Sequence, residues 1–143
     1  MTKSLLITFF ALSAFSASGQ TSDTSFVSFW ALIQKDIIAK DYKVLSTKTK
    51  YPLKAKGKLD FDTTDEYALK DFEKVFSKFL ADDIFILNAE KNINKIMRYN
   101  FLKTYTLKAG DNKSKYVRID DMVFNKINNK WWLTLIYDGH SKY

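Results

Sequence analysis

Two adjacent carboxylate pairs, Asp82-Asp83 and Asp120-Asp121, are the first residues in this chain that could do chemistry. A paired carboxylate can bind a cation or share a proton. Asp120-Asp121 interrupts a strand-like run, where a bulge or a solvent-facing bend accounts for it at less cost. Asp82-Asp83 follows an apolar helical pattern and reads as a connecting turn. Asp41 comes directly after one amphipathic stretch and before another helical turn, which is the place of an N-cap rather than of a general base. Nucleophiles and metal ligands are otherwise scarce. With no cysteine and only His140, near the C-terminal end, thiol catalysis and thiolate metal sites are excluded, and a His-based zinc site or a Ser-His-Asp triad has no material. No catalytic set, metal site or cofactor is expected, and the Asn112-Lys113-Ser114 sequon reads as a lysine-rich turn.

Aromatic residues offer more. Asn128-Asn129 joins two strand-like runs, Tyr116 to Ile127 and Trp131 to Tyr137, and both residues tolerate the positive φ of a two-residue hairpin turn. That turn places Phe124 opposite Leu133, Met122 opposite Leu135 and Lys126 opposite Trp131 on one face. The other face pairs Asn125 with Trp132 and Val123 with Thr134. Strict alternation sends Trp131 and Trp132 to opposite faces and puts Tyr137 on the side of Trp131 and Leu133. Phe124, Trp131, Leu133 and Tyr137 are therefore the candidate lining of a ligand pocket, with Tyr137 as its polar handle.

Charge narrows the partners. The formal net charge is +7, but the lysines are scattered among acids and the arginines are only Arg98 and Arg118. Nucleic-acid readers cluster arginine, so no nucleic-acid partner is expected. The densest basic stretch holds Lys48, Lys50, Lys54, Lys56 and Lys58 on alternate positions, which share one face if the segment is a strand. Such a strand reads as a lysine-guarded sheet edge or as a stripe for an anionic surface.

The elements that must position these residues begin after a leader. Lys3, the apolar run Leu5 to Phe15 and the small residues Ala17-Ser18-Gly19 have the form of a secretory signal peptide, residues 1–19, with cleavage before Gln20. The run is well short of the ~20 residues that span a bilayer, so export without a membrane anchor is expected. Residues 20–143 then form a single domain. Phe26, Phe29, Trp30, Ile33 and Ile37 lie on one helical face behind Ser25, and Asp41 starts a short helix over Tyr42 to Leu45. Pro52 closes that turn region, and Leu53 to Phe61 alternates like a strand. Thr64 with Asp65 and Glu66 reads as the start of another helix, carrying Leu69, Phe72, Phe76, Phe79 and Leu80. Ile84 to Leu87 and Asn92 to Met97 are ambiguous, and Arg98 to Lys108 reads as a strand. Helices followed by antiparallel strands define an α+β domain.

On these residues the chain resembles the nuclear-transport-factor-2-like superfamily, the cystatin-like cone fold, and within it small secreted bacterial proteins. The likeness is carried by Phe26, Phe29, Trp30, Ile33, Ile37 and Asp41, by Val44 and Leu45, by Tyr51-Pro52-Leu53, and by Phe124, Ile127 and Asn128 through Leu133. The resemblance implies helices packed on a strongly curved antiparallel sheet, with a cone between them that holds a ligand, a catalytic carboxylate or simply core. It also implies that a homodimer can form through the sheet, with which Trp132 on the outer face is compatible. The resulting expectation is an exported, periplasmic or secreted, non-catalytic binding module for a small apolar ligand or a protein partner. Two alternatives stand beside it: an isomerase or cyclase using Asp41, Asp120 or Asp121 in the cone, and lysine-mediated attachment to an anionic surface through Lys48 to Lys58.

Overall fold

A computed structural model describes residues 25–59, 62–88, 90–108, 110 and 115–138. The leader with its cleavage site, the sequon and His140 lie outside them. The first helix, α1 (Phe26–Ala39), starts where the Ser25 hydroxyl accepts the Ser28 N–H at 3.2 Å, satisfying one of the donors a helix start leaves open. Its buried stripe is Phe26, Trp30, Ile33 and Ile37. Lys40, in the left-handed region at φ 54, ends α1 by donating to the Asp36 and Ile37 carbonyls. The Asp41 carboxylate then accepts the Val44 N–H at 3.0 Å and opens α2 (Tyr42–Ser46), so Asp41 is a cap.

Among the described residues seven strands follow in two sheets. The larger is curved and unclosed, built from β1 (Thr49–Lys56), β2 (Thr64–Tyr67), β5 (Tyr116–Ile119), β6 (Met122–Ile127) and β7 (Lys130–Tyr137) in the order β2-β1-β7-β6-β5. Strand β1 runs parallel to β7 and the other pairings are antiparallel, so this α+β domain has a mixed sheet. A separate ribbon pairs β3 (Asp83–Leu87) with β4 (Ile93–Met97), which resolves both ambiguous segments as strands. The remaining helices are α3 (Phe72–Ala81), entered through a 3-10 turn at Leu69–Asp71, and α4 (Arg98–Thr104).

Several segments depart from what their local sequence implies. Thr64 to Tyr67 is strand β2 rather than the first turn of a helix: it pairs with β1 from Lys56↔Thr64 to Leu53↔Tyr67, and this pairing outweighs the helix-start chemistry of Thr-Asp-Glu. Pro52 lies within β1 instead of ending the preceding region. Arg98 to Thr104 is helical, not extended. Tyr116 to Ile127 is a hairpin, β5 and β6, reversing at Asp120-Asp121 with Asp120 at φ 50, a conformation aspartate tolerates better than most residues. Strand β1 is interior along Leu53–Lys56, flanked there by β2 and β7, so Lys54 and Lys56 guard no edge.

The core fills one face of the large sheet. Phe26, Trp30, Ile33 and Ile37 of α1, Phe72, Phe76 and Phe79 of α3 and Leu102 of α4 pack against Leu53, Val117, Phe124, Trp131, Leu133 and Ile136. Ring contacts knit this layer, with the Phe26 and Trp131 centroids 4.8 Å apart edge to face, and Phe26 and Phe124 5.4 Å apart. Such pairs add about 0.5–1.5 kcal/mol each beyond the area they bury.

Candidate functional site

The Asn128-Asn129 turn forms as the sequence requires, at φ 49 and φ 62, and pairs Phe124 with Leu133, Lys126 with Trp131 and Asn125 with Trp132. Beyond Leu133 the register changes. A bulge at Thr134 leaves Val123 opposite Leu135 and Met122 opposite Ile136, where uninterrupted alternation pairs Val123 with Thr134 and Met122 with Leu135. The Thr134 hydroxyl holds the extra residue by donating to the Val123 carbonyl at 3.2 Å and accepting from the Asn125 amide at 2.6 Å. One inserted residue reverses the facing of everything after it. Ile136 thus enters the core, while Leu135 and Tyr137 move to the opposite face.

The four residues expected to line one pocket are accordingly not brought together. Phe124, Trp131 and Leu133 are buried among the rings and aliphatic chains of the helix side. Tyr137 is half-buried on the other face, its ring 4.2 Å from the Arg118 guanidinium carbon. Trp132 shares that outer face, half-buried beneath the Lys130 ammonium at 4.2 Å.

A groove of about 750 Å³ runs over this outer face. Its floor is Leu135 and Thr134 of β7 with Val123 and Asn125 of β6, Ile127 and Tyr137 also contribute, and Lys50, Pro52 and Lys54 of β1 and Lys115 and Tyr116 at β5 flank it. Among the described residues its lining contains no Asp or Glu. The ion pairs of the described residues include neither Lys50 nor Lys54, although Glu66 of β2 stands directly across from Lys54. Two lysines of the alternating stretch are engaged elsewhere: Lys48 meets Asp36 of α1 at 2.7 Å, and Lys58 meets Asp121 at 3.1 Å. The stripe is thus divided between both faces.

The carboxylates have a different centre, one that sequence reasoning missed. Arg98, at the start of α4 and 1% exposed, donates from Nε to Asp120 at 2.6 Å, from Nη2 to Asp121 at 2.7 Å and from Nη1 to the Phe79 carbonyl at 2.8 Å. Its guanidinium carbon lies 4.0 Å from the centre of the Phe79 ring, and Asp82 approaches Nη1 at 3.6 Å. Asp121 is buried and also meets Arg118 at 3.1 Å through its second oxygen. Both oxygens of Asp121 are thus committed to cations, and Asp41 is spent as a cap. A buried arginine is stable only when its fork is satisfied, which these oxygens and the ring face achieve. The cluster ties the end of α3, the start of α4 and the β5–β6 turn together. Among the described residues no group of three or more His, Cys, Asp or Glu is arranged to hold a metal ion.

No family model, curated protein or solved structure matches the chain. No helix among the described residues is long and apolar enough to cross a membrane.

Proposed function

We propose that this protein is a non-catalytic binding module that works through the sheet face turned away from its helices. One observation carries the reading: the helix-facing side is packed with aromatic side chains, while the opposite face keeps a groove of about 750 Å³ whose floor joins Leu135 and Val123 with Thr134 and Asn125. That volume falls within the roughly 300–1,000 Å³ usual for small-molecule sites. Phe124, Trp131 and Leu133 then serve the binding function indirectly, as the rigid layer beneath the groove, and Tyr137 alone of the four expected residues lines it. The carboxylates an isomerase or cyclase would use are occupied, Asp120 and Asp121 by arginine and Asp41 by a helix start. This favours binding over acid–base chemistry, because a general base needs a lone pair to offer the substrate.

Kinship with the cone-fold superfamily is part of the same proposal, supported by the curved sheet, by paired helices α1 and α2 ahead of β1, and by the closing β6–β7 hairpin. Export as a secreted or periplasmic protein is supported by the leader sequence alone.

The test is uptake of a neutral apolar dye, Nile red, by the wild type and by Leu135→Arg, with thermal unfolding confirming that the variant folds. The wild type is expected to raise the dye's emission and the variant to lose that rise. Equal emission from both proteins would place the apolar site elsewhere and defeat the reading.

A further inference from the structure

We propose that the groove selects an anion with a long apolar body, a long-chain carboxylate in its simplest form; the inference rests on the outer-face binding reading above. Three features define the occupant. Lys50 and Lys54 on the β1 side and Lys115 on the β5 side flank the groove, and among the described residues no carboxylate lines it. That charge balance favours an anionic head.

The floor dictates the body. It belongs to the middle of the sheet, where the backbone groups of β6 and β7, the bulged Thr134 apart, are engaged in ladders with neighbouring strands. Its polar side chains, Asn125 and Thr134, are bonded to each other at 2.6 Å. A peptide laid across this surface would find few partners for its own N–H and C=O groups and would forfeit their hydration. An alkyl chain over Leu135 and Val123 forfeits nothing of the kind. From β1 to β5 is three strand spacings, roughly 14 Å, enough for an extended chain of about that length.

A second copy of this chain is disfavoured by the same charges. A two-fold contact through this face brings like patches together, lysines against lysines. Because lysine acts as a point charge rather than a planar fork, the site places little demand on head geometry. Carboxylate is preferred over no charge or a positive charge, without selection for the shape of the anion.

The experiment is calorimetric titration of the full-length protein with dodecanoate and dodecyltrimethylammonium below their micelle concentrations and dodecan-1-ol below its solubility limit, repeated with Lys50→Gln/Lys54→Gln and with Leu135→Arg. Dodecanoate is expected to bind about fivefold to tenfold more tightly than dodecanol, with the ammonium weakest, since each exposed charge pair contributes modestly. The lysine variant should weaken dodecanoate binding toward that of dodecanol, and raised salt should do the same. Equal affinity for all three probes at a site sensitive to Leu135→Arg would overturn the anion inference while keeping the binding reading. Binding insensitive to Leu135→Arg, or no binding of any probe, would overturn both.

Discussion

Arg98 Nη2 lies 2.7 Å from Asp121 Oδ2, joining residues 23 positions apart in the chain and fixing the start of α4 to the β5–β6 turn. Arg98 faces five partners: Asp120, Asp121 and Asp82, the Phe79 carbonyl and the Phe79 ring. Removing one member of a buried ion cluster leaves the others uncompensated, at a typical cost of about 3–5 kcal/mol. Arg98→Met should therefore lower unfolding stability by that amount in urea titrations. Arg98→Lys should recover little, because an ammonium cannot serve several directions of a planar fork. Near-native stability of either variant would show the cluster to be dispensable.

The bulge at Thr134 makes the groove by turning Leu135 and Tyr137 outward. Thr134→Val removes the hydroxyl that bridges Asn125 and the Val123 carbonyl, and should destabilise by about 1–2 kcal/mol. Deleting Thr134 should leave Leu135 and Tyr137 facing outward and Ile136 in the core, since Leu133, Leu135 and Ile136 would then stand opposite Phe124, Val123 and Met122 as an uninterrupted ladder, so the fold should be retained with a small change in stability. Both effects are read from chemical denaturation midpoints.

Asp41→Ala should cost about 1 kcal/mol through loss of the cap on α2, and Asp41→Asn much less, since an amide oxygen also caps. A catalytic Asp41 would instead show its loss in turnover with stability intact.

Burial pushes the phenols of Tyr42, Tyr51 and Tyr67 above their ordinary value of 10.0. For Tyr67 the carboxylates Asp65, Asp138 and Asp71 add to burial, and for Tyr42 Glu73 and then Tyr99 do. The folded state thus keeps protons that the unfolded chain releases above pH 10, so stability is fully present below that pH and falls as pH rises through the folded-state values. Denaturation midpoints measured from pH 9 upward should decline, and Tyr67→Phe should reduce the slope.

Much of this architecture could be read from local pattern. Ser25, Asp41 and the Asn128-Asn129 turn carry their own backbone chemistry, so α1, α2 and the β6–β7 hairpin follow from neighbouring residues. What could not be read depends on distant partners. Thr64 to Tyr67 becomes a strand because β1 is there to pair with it, and Arg98 begins a helix because three aspartates and the Phe79 carbonyl surround it. A lone arginine at the first position of a helix opposes the helix dipole, which is the one local hint that carboxylates must lie close. The groove was hidden for another reason: alternation assumes a strand without insertions, and a single bulged residue exchanges the faces of Leu135, Ile136 and Tyr137. The lysine stripe was legible, its division between two faces was not.

Amide chemical-shift mapping during titration with a neutral alkyl probe, decan-1-ol, tests most directly whether ligands meet the outer face of the sheet. Shifts concentrated at Lys50, Lys54, Tyr116, Asn125, Thr134, Leu135 and Tyr137 are the predicted result. Shifts confined to α1, α3 and the helix-facing residues Phe124, Trp131 and Leu133 would contradict it and return the binding site to the space between helices and sheet.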